Sequence, residues 1–434
     1  MAFDLILTGA ILPDGRLRQD IGILDGKIAQ IADHLPQDGA QVMDVAGHLV
    51  TPAFVDAHFH LDATLSLAGS EEVNETGTLA EGIALWEQMA PAMTPEDYRE
   101  RALRYFDIAV SQGLLAVRTH VDVTDPDLIA AQALAEVKRE VADYIDLQLE
   151  AFPLMGYICR PDKGENIRLA LDMGFDVVGG APHLEQTAEL GRASITALCE
   201  IAAEYDVMVD MHCDENDDPN SRHIETLVYE TRRLGLEGRV TGSHLTSMHS
   251  MDNFYATRLI NQMAEADMNV VVNPAVNLHL QGRYDSYPKR RGLARVPELM
   301  RAGCLVAFAQ DCVMDPWYPL GRACLLDIAF LGAHACHLIE PAGLWASFEA
   351  VTDAPAQIMG LSHLGLAPGK SADLVVLEAG DPAEAIRLRA QRRAVLRRGK
   401  IISQRPPAHA KLMLPGRPKW LDPMHAFHLA GETP

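Results

Sequence analysis

Paired cysteines are absent. The seven cysteines, at positions 159, 199, 213, 304, 312, 324 and 336, are scattered, odd in number and form no Cys-x-x-Cys. That excludes a disulfide frame and points to free thiols in a reducing compartment. Positive charge is short as well: 37 Lys and Arg against 60 Asp and Glu give a formal net charge of −23. Nucleic acid and anionic membrane both select basic surfaces, so neither is an expected partner. No uncharged apolar run approaches the roughly 20 residues that a membrane span needs. The opening residues, MAFDLILTGAILPDG, lack the basic and apolar regions of a signal peptide. Low-complexity segments and short repeats are also missing. The expectation is a soluble, cytoplasmic protein whose partner is a small molecule, with homo-oligomerisation left open.

What is present is a regular beat. Apolar residues make up 48% of the chain and charged ones 22%, enough for a large core. From residue 49 onward, strand-like runs recur: LVTPAFVDAHFH, LLAVRTHVDV, IDLQLEAF, FDVVGGAP, VMVDMHC, RVTGSHL, MNVVVNP and CLVAFAQD. Helical patterns lie between them. Thr94-Pro95-Glu96-Asp97 reads as a cap, a first-turn proline and two acids on the positive end of a helix that Gly113 closes. GENIRLALDMG and RVPELMRAG likewise stop at glycine. Strands alternating with helices imply a parallel sheet. An open doubly wound sheet alternates too, but eight strands suit a closed (β/α)₈ barrel of the TIM type. Residues 1–48 and 355–434 break the beat with short alternating runs such as DIGILDGKIAQI and ADLVVLEAG. They predict a small β domain completed by both chain ends, the second piece carrying a C-terminal tail, around a barrel of residues 49–354.

In such a barrel the active site lies at the C-terminal ends of the strands, and the chemistry falls there. The first run ends in His58-Phe59-His60, and residues two apart on a strand share a face. The fifth ends in His212, the sixth in His244 and the eighth in Asp311. Imidazoles and a carboxylate converging from four strand ends suit a borderline divalent ion such as zinc or iron(II). Other histidines, among them His334, His337, His425 and His428, lack this placement and read as structural or surface residues. Glu215 follows His212 by three residues, where a proton shuttle beside a metal belongs.

Together these residues resemble the amidohydrolase superfamily, and within it the bacterial cytosine deaminase branch. The resemblance runs through PAFVDAHFHLD, GTLAEGIALW, VRTHVDV, IDLQLEAFP, HCDENDDPNSR, SHLTSMHS, NPAVNLHLQGRYDSYPKRRG and DPWYPLG, almost the whole chain. It implies His58, His60, His212 and Asp311 as ligands of one iron(II) or zinc(II) ion. It implies a catalytic set of Glu215, His244 and Asp311, with His244 orienting or deprotonating water and Glu215 carrying protons. It also implies that the terminal β domain is a sandwich. Two positions depart from the branch: Leu154 stands where those enzymes carry a glutamine, and Cys312 where they carry a second aspartate. Both changes lessen polarity at substrate-facing positions and suit a bulkier or methylated ring. Leu79, Phe152 and Trp317 are kept and would wall that ring.

Two inner residues stay open. Glu150 shares the strand parity of Phe152, and the expectation is a structural carboxylate held by Arg118 or another inner polar group, the alternative being recognition of a donor-rich substrate. His183 is available either to substrate or to the structure behind it. The expected activity is hydrolytic deamination of a cytosine-like amino-heterocycle, cytosine itself or a 5-substituted form such as 5-methylcytosine, with release of ammonia. The alternatives are deamination of isoguanine, a creatinine-like ring or an aminotriazine, and ring opening of a cyclic amide. Ring-opening relatives use two metals bridged by a carboxylated lysine from the fourth strand, and FDVVGGAPH holds no lysine. The short zinc deaminases need a Pro-Cys-x-x-Cys that this chain lacks. A barrel that only binds its ligand should have lost one of these groups, and all are present.

Overall fold

The computed structural model describes residues 2–45, 47–159, 164–407, 410–417 and 419–421. His425 and His428 lie outside that set, as does the end of the expected C-terminal tail. Among the described residues no helix is long and apolar enough to cross a membrane.

Eight parallel strands stand side by side in chain order: Phe54–Phe59, Leu114–Asp122, Asp146–Phe152, Val177–Gly180, Met208–Cys213, Val240–His244, Asn269–Val272 and Leu305–Phe308. An isolated parallel bridge between Phe59 and Asp311 joins the eighth strand to the first. Two backbone bonds of 3.0 Å, from His60 N–H to the Asp311 carbonyl and from Asp311 N–H to the His58 carbonyl, complete the join. The sheet thus closes as a TIM-type barrel. Its strands read as continuous apolar runs because both faces are covered: every residue of Val177–Gly180 and Asn269–Val272 is buried.

Local signals explain where the outer helices begin and end. Helix Pro95–Ser111 opens on a capping box, in which the Thr94 hydroxyl accepts the Asp97 N–H and the Asp97 carboxylate accepts the Thr94 N–H. Gly113 and Gly303 close their helices at φ +78° and +95°, a left-handed conformation that costs a glycine little. An extra helix, Leu79–Met89, precedes Pro95–Ser111 and brings Leu79 and Ile83 over the barrel mouth.

Both chain ends build two four-stranded sheets. One runs Lys27–Ala32, Gln19–Leu24, Leu5–Ala10, Gln41–Asp44, and the other Lys400–Gln404, Arg392–Arg397, Leu374–Leu377, Leu49–Pro52. Leu5, Leu7, Ile21, Ile23, Val50, Leu374, Val376 and Leu396 form one buried cluster joining them. The run LVTPAFVDAHFH is therefore two strands. Leu49–Pro52 pairs antiparallel with Leu374–Leu377, and only Phe54–Phe59 enters the barrel. At the other boundary, helix Asp353–Ile358 packs against the first and eighth barrel strands.

Candidate metal centre and active site

At the C-terminal mouth of the barrel the polar residues converge. His58 and His60 come from the end of the first strand, His212 and Glu215 from the fifth, His244 from the sixth and Asp311 from just past the eighth. His58 Nε2 and His60 Nε2 each lie 3.4 Å from Asp311 Oδ1, and His60 Nε2 lies 3.1 Å from His212 Nε2. Donors about 2.0–2.2 Å from one tetrahedral ion stand roughly 3.3–3.6 Å apart, so the spacing fits a shared cation. His58 Nε2 is buried without a hydrogen-bond partner among the described residues, as an atom aimed at such an ion would be. Asp311 and His244 sit at φ +67° and +68°, in left-handed backbone that a non-glycine residue adopts at some cost. For Asp311 the two barrel-closing backbone bonds hold that conformation in place.

Behind His58 runs a chain of rings that the sequence reading did not single out. His58 Nδ1 lies 2.8 Å from His120 Nε2, and His120 Nδ1 meets the Glu150 carboxylate. Read outward, Glu150 accepts from His120 Nδ1–H and His120 Nε2 accepts from His58 Nδ1–H. The His58 Nε2 lone pair then faces the cluster. Burial, reinforced by the nearby Asp210 charge, pushes the Glu150 carboxyl well above its ordinary value, and burial pushes His120 well below. An anionic Glu150 would be costly alone, and a cation held at the far end of the chain would compensate it. Of the two structural partners expected for Glu150, Arg118 or another inner polar group, the structure places the second: Arg118 bonds Asp210 at 3.1 Å and Gln148 at 3.2 Å, and His120 meets Glu150. His120 lay in the quoted VRTHVDV, and its place near the second strand's end was the available signal.

Across the mouth, Glu215 Oε1 lies 3.3 Å from His244 Nδ1, and Asp311 Oδ2 lies 4.0 Å from the same nitrogen. Burial, with the Asp311 charge adding to it, raises the Glu215 carboxyl well above its ordinary value, which suits a group that must give up a proton. Burial lowers His244. The amides of Asn277 and Asn273, at 2.9 and 3.3 Å from His244 Nδ1, fix that ring. Both come from NPAVNLHL, quoted above without an assigned role.

The cavity in front of these groups is walled by Leu79, Ile83, Phe152, Leu154, Leu184, Val276, Leu280, Cys312 and Trp317. All five expected substrate-facing residues therefore line one space. Phe152 stacks on His212 with ring centroids 4.3 Å apart. The Cys312 sulfur lies 3.7 Å from Asp311 Oδ1, and burial with the neighbouring Asp311 and Asp315 charges raises its thiol, so it stays protonated. His183 also lines the cavity: its Nδ1 is 2.9 Å from the His212 carbonyl, and burial pushes its pKa down to about 4. A larger hollow of about 660 Å³ lies elsewhere, bounded by Phe330, Leu344 and Ile386. Its Glu384 and Arg387 pair with each other at 2.8 Å, and it gathers no comparable cluster.

A profile of the amidohydrolase family matches residues 41–403. A solved 5-methylcytosine deaminase from Klebsiella pneumoniae, liganded with 5-fluorocytosine, is 44% identical. It has a TM-score of 0.90 and covers 94% of this chain and 99% of its own. An N-isopropylammelide isopropyl amidohydrolase from a Pseudomonas species is 28% identical over 409 residues, 92% of this chain and 97% of its own length. A pterin deaminase from Rhizobium rhizogenes is 28% identical over 405 residues, 92% of this chain and 91% of its own.

Proposed function

The chain belongs to the amidohydrolase family, and on that footing we propose that it is a hydrolytic deaminase of a cytosine-like free base, with 5-methylcytosine preferred to cytosine. The observation that carries this reading is the buried Glu215–His244–Asp311 cluster, set beside three imidazoles in a cavity whose remaining walls are largely apolar. The likeness to a 5-methylcytosine deaminase at 44% identity supports it.

His58, His60, His212 and Asp311 would hold one divalent ion, and three imidazoles with one carboxylate suit iron(II) or zinc(II). Such an ion supplies Lewis acidity that makes water nucleophilic near neutral pH. The fourth strand carries no lysine to bridge a second ion, which favours a single one. The chain's own groups do the rest. His244, clamped by Asn273 and Asn277, orients the attacking water. Glu215, whose carboxyl burial raises, gives its proton to the ring nitrogen beside the amidine carbon. The carboxylate then takes a proton from the attacking water and passes it to the departing amine, and the new hydroxyl returns its proton to Glu215 as the carbonyl forms. A C–O bond forms, the C–N bond breaks and ammonia leaves.

Leu154 and Cys312 bear on the choice of ring. Burying a methyl against such walls stabilises by about 0.8 kcal/mol, and a glutamine or aspartate in their place would have to be desolvated against it. The test is ammonia release by the metal-loaded enzyme from 5-methylcytosine, cytosine, isoguanine, creatinine and aminotriazines. The expected order places 5-methylcytosine first. A tenfold preference for cytosine would show that Leu154 and Cys312 do not set selectivity. No ammonia from any ring, with opening of a cyclic amide instead, would sink the deaminase reading.

A further inference from the structure

We propose that His183 reads a ring N–H of the substrate, accepting it at Nε2 on the side of the heterocycle away from the reacting carbon. The inference rests on the deaminase reading above and adds to it the form of the base: unsubstituted at that ring nitrogen.

Three observations lead there. First, the cavity holds few directional groups. Its polar side chains are His60, His212, Glu215, His244 and Asp311, already engaged in the metal and proton chemistry, then the Cys312 thiol, the Trp317 indole N–H and His183. Trp317 Nε1 is a donor, so with Leu154 a hydrocarbon His183 is the remaining lining side chain that offers a nitrogen or oxygen acceptor to the rest of the ring.

Second, its hydrogen-bonding sense is set. Nδ1 lies 2.9 Å from the His212 carbonyl, an acceptor, so Nδ1 carries the hydrogen. In the neutral ring Nε2 is then a lone pair. That atom is buried and has no hydrogen-bond partner among the described residues. A buried acceptor left unpaired costs about 1–3 kcal/mol, which a donor on a ligand would recover. An acceptor selects N–H and disfavours a carbonyl or a bare ring nitrogen.

Third, the barrel places it across from the chemistry. His183 follows the fourth strand, Val177–Gly180, on the short turn Pro182–Leu184. Asp311 follows the eighth, four strands away around a closed sheet of eight, and so diametrically opposite. A six-membered ring whose amidine carbon lies at Asp311 and His244 turns its far edge toward His183. In cytosine and 5-methylcytosine that edge carries N1–H. A nucleoside, or any base alkylated at N1, offers no hydrogen there and presents bulk to the same imidazole.

The experiment compares 5-methylcytosine with 1,5-dimethylcytosine in the native enzyme and in His183→Phe, His183→Gln and His183→Ala. It uses kcat/KM, or the inhibition constant where turnover is too slow to follow. The native enzyme should discriminate against the N1-methyl ring by at least about 100-fold. His183→Phe should lose about 10- to 100-fold on 5-methylcytosine, mainly in KM, the range expected for one hydrogen bond to a substrate N–H. It should lose little on 1,5-dimethylcytosine. His183→Gln, whose amide oxygen is again an acceptor, should recover part of the loss. His183→Ala, which opens room, should improve the N1-methyl ring relative to the parent. Equal losses on both rings in the phenylalanine variant, or equal use of both by the native enzyme, would overturn the assignment while leaving the deaminase reading intact. Release of ammonia from no amino-heterocycle would overturn both.

Discussion

At the scale of single residues, the site depends on burial separating two carboxyl groups that face one ring. Burial raises Glu215, while Asp311, ringed by imidazoles, is held below the carboxylate range despite being buried. One can therefore give a proton while the other remains the anion beside the histidines. Glu215→Gln keeps the shape and removes the exchangeable proton. The variant should fold, bind metal as the native protein does and lose at least about 10²-fold in kcat. A near-normal kcat would return Glu215 to the role of an acid on a loop. Glu215 was legible in the sequence because its signal is local, three residues beyond a strand-end histidine in HCDEND. The strand-end histidines and Asp311 were legible for the same reason: parity and strand ends can be read from a short window. What Glu150 touches could not be read that way. Its partner is chosen by the lateral packing of three strands.

At the scale of elements, those three strands are one device. The first supplies His58, the second His120 and the third Glu150, in adjacent positions around the barrel. The fourth strand gives way to them, since a Cβ on Gly179 would overlap the Glu150 carboxylate. That explains the glycine in a strand where Val177 and Val178 are otherwise β-branched. The chain sets the orientation of the His58 ring and leaves its Nε2 lone pair toward the cluster. Outer partners of this kind are worth about 10–100-fold in metal affinity. Glu150→Gln should lower affinity by that factor, measured as retained metal during competition with a chelator, with the secondary structure unchanged. Native metal retention in the variant would mean that the chain only fills space. The long first run misled at this scale as well. Leu49–Pro52 and Phe54–Phe59 are contiguous in sequence but belong to different sheets, and only pairing with Leu374–Leu377 separates them.

At the scale of the whole molecule, the barrel and the terminal β domain are locked at the barrel end opposite the active site. Asp146 begins the third barrel strand, while Asp373 and Arg397 belong to the β domain. The Arg397 guanidinium lies 2.7 Å from Asp146 and 2.8 Å from Asp373, and its side chain is 1% exposed. Removing one partner of a buried pair leaves uncompensated charge at a cost of about 3–5 kcal/mol. Arg397→Met should therefore lower Tm at pH 7 by roughly 3–6 °C in calorimetry, by the usual scaling of unfolding entropy with chain length. Residues at the lower face of a barrel serve stability and not chemistry, so kcat at 25 °C should stay near native. Acid supplies the second readout. Burial alone would raise Asp146, but its bonds to Arg397 and His363 hold it below its ordinary value. A depressed carboxyl contributes stability that is present above its unfolded pKa, about 3.9, and is lost as pH falls through the folded value. Without Arg397 the Asp146 carboxylate loses that support and protonates at higher pH, which relieves the variant before the native protein is affected. The gap in Tm should then narrow between pH 7 and pH 5. A gap that stays constant over that range, or a Tm unchanged at pH 7, would show that the joint is held by its apolar contacts and not by this network.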